Sequence, residues 1–220
     1  MKITVMKNIL NANQNKADEV RGVLAAKRVL MVNLIGSPGS GKTTLLEKTI
    51  AHCAGRFAIA VIEGDVATDR DARRLQPHNV PIVLINTDGA CHLESISIQQ
   101  ALDTFDLDTI DIVFVENVGN LVCPAEFDIG EFGKVAVCSV TEGDDKPEKY
   151  PLLFREAKAL VLNKIDLCEY TDFDMDAFTQ SVTMLNGTIP QMHISCRREK
   201  GLDTWFAWLE ETAGRVCRNP

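Results

Sequence analysis

A glycine-rich segment of the chain combines lysine and hydroxyl side chains in a spacing suited to phosphate. It follows the apolar run Val29–Ile35 and precedes a helix-like segment. Glycines let successive backbone N–H groups turn towards phosphate oxygens, Lys42 reaches the terminal phosphates, and the Thr43 hydroxyl is a ligand for Mg²⁺. Its place between a strand and a helix favours a nucleotide-binding P-loop over a simple glycine-rich turn. The predicted phosphate-binding residues are Gly36, Ser37, Gly39, Ser40, Gly41, Lys42, Thr43 and Thr44.

A second motif, Asn163-Lys164-Ile165-Asp166, follows an apolar run and is suited to reading a purine base. The Asp166 carboxylate can accept hydrogen bonds from guanine N1–H and N2–H₂, whereas adenine offers no such pair of donors. Lys164 can lie over the base, and Asn163 can tie this loop to the P-loop. Ser195 and Cys196 match, more weakly, the second base-contacting loop of GTPases. The predicted nucleotide is therefore GTP or its product GDP.

Acidic residues at the ends of two apolar runs complete a magnesium and switch machinery. We expect Thr43, Asp65 and Glu116 to hold Mg²⁺, because a hard cation takes oxygen ligands and often binds carboxylates through water. The Gly119 N–H is placed to sense the γ-phosphate. With Lys42, these residues form the predicted catalytic set. Asp69 and Asp71 fit a switch segment as well as a solvated first helical turn, so no chemistry is assigned to them.

Two further loops carry thiolate and imidazole side chains. Cys91 and His92 follow the apolar run Ile82–Ile85, and Cys123 follows the loop that starts at Glu116. Both loops leave the carboxyl ends of their strands, on the edge that carries the phosphates, so Cys91, His92 and Cys123 can converge close to the γ-phosphate sensor. Thiolate and imidazole ligands suit Zn²⁺ or Ni²⁺. Three ligands are an incomplete tetrahedral set, which water or a second subunit would complete. Spacing alone leaves open the alternative that these cysteines are buried small hydrophobic residues.

The elements that position these residues follow from a repeated apolar pattern. Short β-branched runs alternate with helix-like segments, which is typical of parallel strands covered on both faces. We predict a three-layer, doubly wound α/β fold with a mostly parallel sheet, a P-loop NTPase of the SIMIBI type. Residues 1–27 are predicted to form an N-terminal docking helix region, with Val20, Val23 and Leu24 on its apolar side, and residues 28–220 the GTPase domain with its embedded metal site. The predicted strands are Val29–Ile35, Ala58–Ile62, Ile82–Ile85, Ile110–Val115, Val135–Val140, Ala159–Leu162 and Met192–Ile194.

Composition narrows the partners and the compartment. The formal net charge of −8 argues against nucleic-acid or anionic-membrane partners, because both need a positive field. No run approaches the ~18 apolar residues of a membrane span. Seven scattered cysteines read as thiols in a reducing compartment, so the predicted location is cytoplasmic. The cysteines outside the metal loops and position 196 are interpreted as core or incidental: Cys53, Cys138, Cys168 and Cys217.

Four motifs together resemble the hydrogenase nickel-incorporation GTPase family, HypB. They are Glu63–Asp69, Asp88–Leu93, Glu116–Pro124 and Glu142–Pro147, and the resemblance runs from about Ala17 to the C terminus. It implies a GTP-dependent homodimer, a nickel or zinc site at Cys91, His92 and Cys123, and partners in another nickel accessory protein and the hydrogenase large-subunit precursor. The N-terminal Cys-x-x-Cys-Gly-Cys or His-rich site of some members has no counterpart before His52, so high-affinity nickel storage there is not predicted.

The catalytic expectation is slow turnover, because neither an arginine finger nor a water-orienting glutamine follows Gly119. Lys146 or Lys149 is predicted to reach the nucleotide of the opposite subunit, with a solvated charge run as the alternative. Three other functions stay open. One is a urease-type nickel accessory GTPase, although such proteins carry a Cys-Pro-His motif. The others are a P-loop kinase for a small metabolite and a zinc-stabilised binding module with a vestigial nucleotide site.

Overall fold

Seven parallel strands form the centre of the molecule in the computed structural model. The structure describes the backbone of residues 2–65, 70–87 and 89–217, and the side chains of residues 11–64, 73–87 and 89–217. The strands are β1 Leu30–Ile35, β2 Ile59–Asp65, β3 Ile82–Asn86, β4 Ile112–Glu116, β5 Gly133–Ser139, β6 Ala159–Asn163 and β7 Gln191–His193. All seven predicted strands are therefore confirmed, with ends that shift by up to three residues.

Helices connect the strands within the described part of the chain. They are α1 Lys2–Lys27, α2 Lys42–Cys53, α3 Arg70–Leu75, α4 Ser95–Leu102, α5 Cys123–Glu126, α6 Lys146–Lys149, α7 Pro151–Glu156, α8 Met175–Leu185 and α9 Leu202–Val216. Short 3₁₀ turns cover Gln76–His78, Val140–Glu142 and Ile165–Tyr170. None of the helices among the described residues is both long and apolar enough to cross a membrane.

The strand order is β3-β2-β4-β1-β5-β6-β7, and every pair is parallel. Strand β1 lies between β4 and β5, so the chain leaves it at the point where the order of connections reverses. In open α/β sheets, ligands bind at this point, beyond the carboxyl ends of the strands. The P-loop, the base-reading motif and both metal loops all leave this edge.

Alternating side chains of β1 divide the core between two faces. Leu30 and Leu34 pack with α2 and α9, where Trp205 is completely buried. Met31 packs with α1 and α4 on the other face, and Ile35 packs there with α7 and α8. The predicted three-layer fold is thus confirmed.

Helix α1 spans almost all of residues 1–27, the predicted docking region, and its buried side chains differ from the predicted set by one member. Val20 and Leu24 are buried as predicted, but Val23 is 45% exposed and Ala17 is buried in its place. The reason is the approach of Gly130, where an added Cβ would lie 2.6 Å from a Val20 methyl and 2.7 Å from the Ala17 carbonyl oxygen. Burying side chains the size of Val20 and Leu24 contributes about 1.5–3 kcal/mol each.

A series of hydrogen-bonded polar side chains crosses the apolar core beside β1. The Asn33 side chain, 0% exposed, accepts a hydrogen bond from Asn117 Nδ2 at 3.1 Å and donates to Glu131 Oε1 at 3.3 Å. Glu131 Oε2 in turn accepts from the Ile129 N–H at 2.8 Å. Burial raises the pKa of Glu131. These hydrogen bonds link the loop after β4 to the loop before β5.

Candidate functional site

The P-loop joins β1 to α2 in a conformation that suits phosphate. Gly41 precedes the helix with φ of 102°, a left-handed value that favours glycine. Helix α2 begins at Lys42, so its N-terminal N–H groups and partial positive charge face the loop. The Lys42 ammonium is buried and donates to the Gly36 carbonyl oxygen at 3.0 Å. Ser37, Gly39 and Ser40 lie in the P-loop itself, and Thr44 lies in the first turn of α2.

The base-reading loop is tied directly to the P-loop. Asn163 Nδ2 donates to the Ser40 carbonyl oxygen at 3.0 Å, and Lys164 Nζ donates to the Gly39 carbonyl oxygen at 2.6 Å. The Cys196 N–H donates to Asn163 Oδ1 at 3.1 Å. These contacts bring together two loops that are far apart in the sequence.

The aspartate predicted to read guanine is held in place by a neighbouring loop. The Ser195 hydroxyl donates to Asp166 Oδ1, and the same hydroxyl oxygen accepts from the Arg198 N–H at 3.1 Å. Asp166 is half-buried, whereas Ser195 is fully buried. The loop that matched GTPases only weakly in sequence therefore sets the position of the Asp166 carboxylate.

Thr43 and Glu116 lie in contact at the phosphate end of the cleft. The Thr43 hydroxyl donates to Glu116 Oε1 at 2.8 Å, and both residues are buried. A hydroxyl beside a carboxylate is an oxygen donor set that Mg²⁺ accepts. Asp65 ends β2 and Asp71 lies in α3, but the side chains of both residues, and the whole of Asp69, lie outside the described residues.

A cleft of about 470 Å³ is lined by the P-loop together with Glu116, Gly119 and Lys164. It also includes residues that the sequence analysis missed. Glu63, Arg74 and Asn117 line it beside the predicted residues. Glu63 lies directly opposite Glu116 in the pairing of β2 with β4 and is buried. A glutamate within an otherwise apolar strand was the available signal. Arg74 donates to Glu47 and to Thr44 Oγ1, contacts that the sequence does not indicate.

Gly119 lies against the P-loop. A Cβ added at this position would lie 2.5 Å from Pro38 Cγ, closer than real Cβ atoms approach. Glycine is thus required for the close approach of the loop after β4 to the P-loop. The two walls of the cleft touch at the position predicted to sense the γ-phosphate.

The two metal loops converge at the same edge of the sheet. Cys91 Sγ lies 2.9 Å from Cys123 Sγ and 3.6 Å from His92 Nδ1. One donor atom from each residue falls within 4.8 Å of the others. All seven cysteines are free thiols, as predicted, and the Cys91–Cys123 separation exceeds a disulfide bond of about 2.05 Å. Two thiols and an imidazole in this arrangement fit a thiophilic divalent cation.

The surroundings of the cluster favour the metal-binding form of its histidine. The His92 ring stacks on Phe127, with ring centroids 3.8 Å apart, and burial lowers the pKa of His92. A neutral imidazole is the form that coordinates metals. The hydrogen bond with Cys123, followed by burial, raises the pKa of the Cys91 thiol. Phe127 is a further residue that sequence reasoning missed, since only tertiary packing brings it to His92.

The two lysines of the charged loop make local contacts within this chain. Lys149 forms an ion pair with Asp145, and Lys146 Nζ lies 5.3 Å from the centre of the Tyr150 ring. The Lys149 side chain is 60% exposed. Both ammonium groups are therefore accessible to a second molecule.

The fold and the cleft define the class of protein, a P-loop nucleotide-binding domain with a metal-binding cluster at its phosphate edge. Residues 30–193 match the family model described as "CobW/HypB/UreG, nucleotide-binding domain". The hydrogenase maturation factor HypB of Azotobacter vinelandii is 44% identical over 98% of this chain and 71% of its own length. HypB of Escherichia coli K12 is 45% identical over 92% of this chain and 70% of its own length.

A solved structure extends the comparison to three dimensions. The crystal structure of HypB from Helicobacter pylori in complex with nickel superposes with a TM-score of 0.88 at 34% identity, covering 95% of this chain and 99% of that one. This chain belongs to the HypB hydrogenase maturation factors of the CobW/HypB/UreG family. The predicted resemblance and the SIMIBI-type P-loop fold are confirmed, and the enzyme class, GTPase, is confirmed for the family.

Proposed function

We propose that this chain is a GTP-hydrolysing metallochaperone that delivers nickel during [NiFe]-hydrogenase maturation. One observation carries the proposal: a single short loop serves both sites. Glu116 and Gly119 line the nucleotide cleft, and Cys123, at the end of the same loop, belongs to the metal cluster. A change at the γ-phosphate thus has a short path to a metal ligand. The nickel named for the Helicobacter pylori structure supports this assignment.

The residues of the cleft have distinct roles in binding GTP. The P-loop N–H groups and Lys42 hold the phosphates, while Asp166 selects guanine from a position fixed by Ser195. Lys164 lies along the base, and Asn163 keeps the two loops in register. The Gly119 N–H detects the γ-phosphate and loses its partner when that phosphate leaves.

Thr43 and Glu116, with Asp65 as the third predicted residue, hold Mg²⁺. The donor set fits, because the Thr43 hydroxyl and the Glu116 carboxylate already meet at 2.8 Å beside the cleft. When bound, Mg²⁺ neutralises charge that develops on the β- and γ-phosphate oxygens. Slow turnover stays a prediction, as does the cytoplasmic location.

Nickel or zinc is the cargo of the cluster formed by Cys91, His92 and Cys123. Three ligands leave a coordination position open, which suits a site that must release its ion. A second copy of the chain, joined in a GTP-dependent homodimer, completes the site and brings Lys146 or Lys149 to the opposite nucleotide. The predicted partners are another nickel accessory protein, which exchanges the ion, and the hydrogenase large-subunit precursor, which receives it.

The test is a titration of Ni²⁺ and Zn²⁺ into nucleotide-free, GDP-bound and GTP-analogue-bound protein. Cys91→Ser and Cys123→Ser should each weaken nickel binding by about tenfold or more, since even outer-shell changes cost 10–100-fold. Cys168→Ser is the matched control, because this half-buried thiol lies outside the cluster. Nickel affinity that is equal in all three nucleotide states would rule out the proposed coupling.

A further inference from the structure

The Asn120 side chain connects the two loops that carry the metal ligands. Its Nδ2 donates to the Cys91 carbonyl oxygen at 3.1 Å, although the two residues are 29 positions apart. Its Oδ1 accepts from the Val122 N–H at 2.9 Å, one residue before Cys123. Asn120 is half-buried. A single amide therefore contacts the main chain next to both cysteines.

The chemistry of this contact requires both ends of an amide. The oxygen accepts in the local turn, and the nitrogen donates across to the other loop, so a residue with only one function would satisfy only one contact. Each partner is a backbone group, which moves only when its loop moves. The Asn120 side chain consequently holds the two loops at a set distance from each other.

The position of Asn120 in the sequence links this contact between the loops to the nucleotide. Asn120 directly follows Gly119, whose approach to the P-loop leaves no room for a Cβ beside Pro38. A movement of Gly119 towards or away from the γ-phosphate must therefore move Asn120. Cys123 follows along the covalent chain. The Cys91 main chain, by contrast, is held to this loop by the Asn120 amide, while the Cys91 thiol contacts Cys123 Sγ.

We propose that Asn120 is the positioning residue that couples the nucleotide state to the metal site, because it transmits movement of Gly119 to the Cys91 loop. The inference rests on the proposed function, in which nickel bound by Cys91, His92 and Cys123 responds to GTP. It adds that the response of the Cys91 main chain passes through one side-chain amide. Asn120 itself is not a ligand in this scheme.

The experiment measures the dissociation constant for Ni²⁺ alone, by competition with a chelator, in the GDP-bound and GTP-analogue-bound protein. Asn120→Asp keeps an acceptor for the Val122 N–H but removes the donor to Cys91, and Asn120→Ala removes both. The added charge of the aspartate acts in both nucleotide states, so the readout is the ratio of the two dissociation constants. Thr87→Ala is the control, since the Thr87 hydroxyl donates to the Ala90 carbonyl oxygen, a contact inside the Cys91 loop.

We expect a wild-type ratio in the usual range of allosteric coupling, about 5- to 150-fold. Both Asn120 variants should lower that ratio by about fivefold or more, and Thr87→Ala should keep it. A wild-type ratio near 1 would overturn the proposed function and this inference together. A normal wild-type ratio that survives in both Asn120 variants would overturn the inference alone. Thermal unfolding of each variant checks that it is folded.

Discussion

Asn163 donates a hydrogen bond from Nδ2 to the Ser40 carbonyl oxygen across a separation of 123 residues. The fit is tight, since a Cβ added at Gly41 would lie 2.2 Å from the same nitrogen. The loop that reads the base and the loop that holds the phosphates are thus one rigid unit. The distance from Asp166 to the phosphate site is fixed before the nucleotide arrives.

Asp166→Asn should convert the base preference from guanine to xanthine. The substitution places an amide donor opposite the guanine donors, and losing two charge-assisted hydrogen bonds weakens GTP binding by about 3 kcal/mol or more. Xanthosine triphosphate offers an acceptor there and should bind the variant better than GTP does. Fluorescence titration with both nucleotides checks this, and an unchanged preference would show that Asp166 does not read the base.

Gly119→Ala should weaken binding of a GTP analogue more than binding of GDP. The new Cβ would collide with Pro38, and overpacking of this kind typically costs about 1–3 kcal/mol. Because Gly119 is proposed to contact the γ-phosphate, the loss should fall on the triphosphate state. Gly22→Ala in α1 is the control, since its added Cβ meets no atom within 4 Å. Equal losses for both nucleotides would argue against a γ-phosphate sensor.

At least one of the variants Lys146→Ala and Lys149→Ala should reduce dimer formation with a non-hydrolysable GTP analogue, because one of these lysines is predicted to reach the opposite nucleotide. Among the described residues, Lys149 pairs with Asp145 and Lys146 lies near the Tyr150 ring, contacts that they can exchange for a phosphate of a second subunit. Sedimentation of the variants measures the dimer fraction. Lys158→Ala, another exposed lysine, is the control. Unchanged dimers in both variants would favour a solvated charge run.

His193 should make the protein less stable as the pH falls. Burial lowers the pKa of His193 below its ordinary value of about 6.5, and its buried Nε2 has no hydrogen-bond partner in the part of the chain that the structure describes. Between the two pKa values the unfolded chain binds a proton that the folded chain does not, so stability is complete above pH 6.5 and declines below it. His193→Gln should flatten the change in melting temperature between pH 7.5 and 5.5. A slope equal to that of the wild type would contradict the assignment.

The sequence predicts the sheet well because its signal is local. Most strands are short, mainly apolar runs, as in Ala159–Asn163, where every residue is buried. The prediction of the buried side chains of α1 was wrong at one position, because whether Val23 or Ala17 is buried depends on the remote Gly130. Local periodicity contains no information about that contact.

The same difference separates the predicted and missed parts of the site. Cys91 and Cys123 were expected to converge because parallel strands end at one edge, and their sulfur atoms do lie 2.9 Å apart. Phe127 and Arg74 were missed because each reaches its site only through tertiary packing. Topology can be inferred from ordered motifs, but the side chains that complete a site follow from the packed structure.

The buried amide of Asn33 has a consequence for how the sheet assembles. A slip of β1 by two residues would keep its apolar side chains facing the same two layers, so hydrophobic burial alone does not choose the register. Such a slip would separate Asn33 from Asn117 and Glu131. Each buried polar group that is left without a hydrogen-bond partner costs about 1–3 kcal/mol of stability. One asparagine thus makes misaligned versions of the central strand unfavourable, and the P-loop that follows β1 emerges at a single height above the sheet.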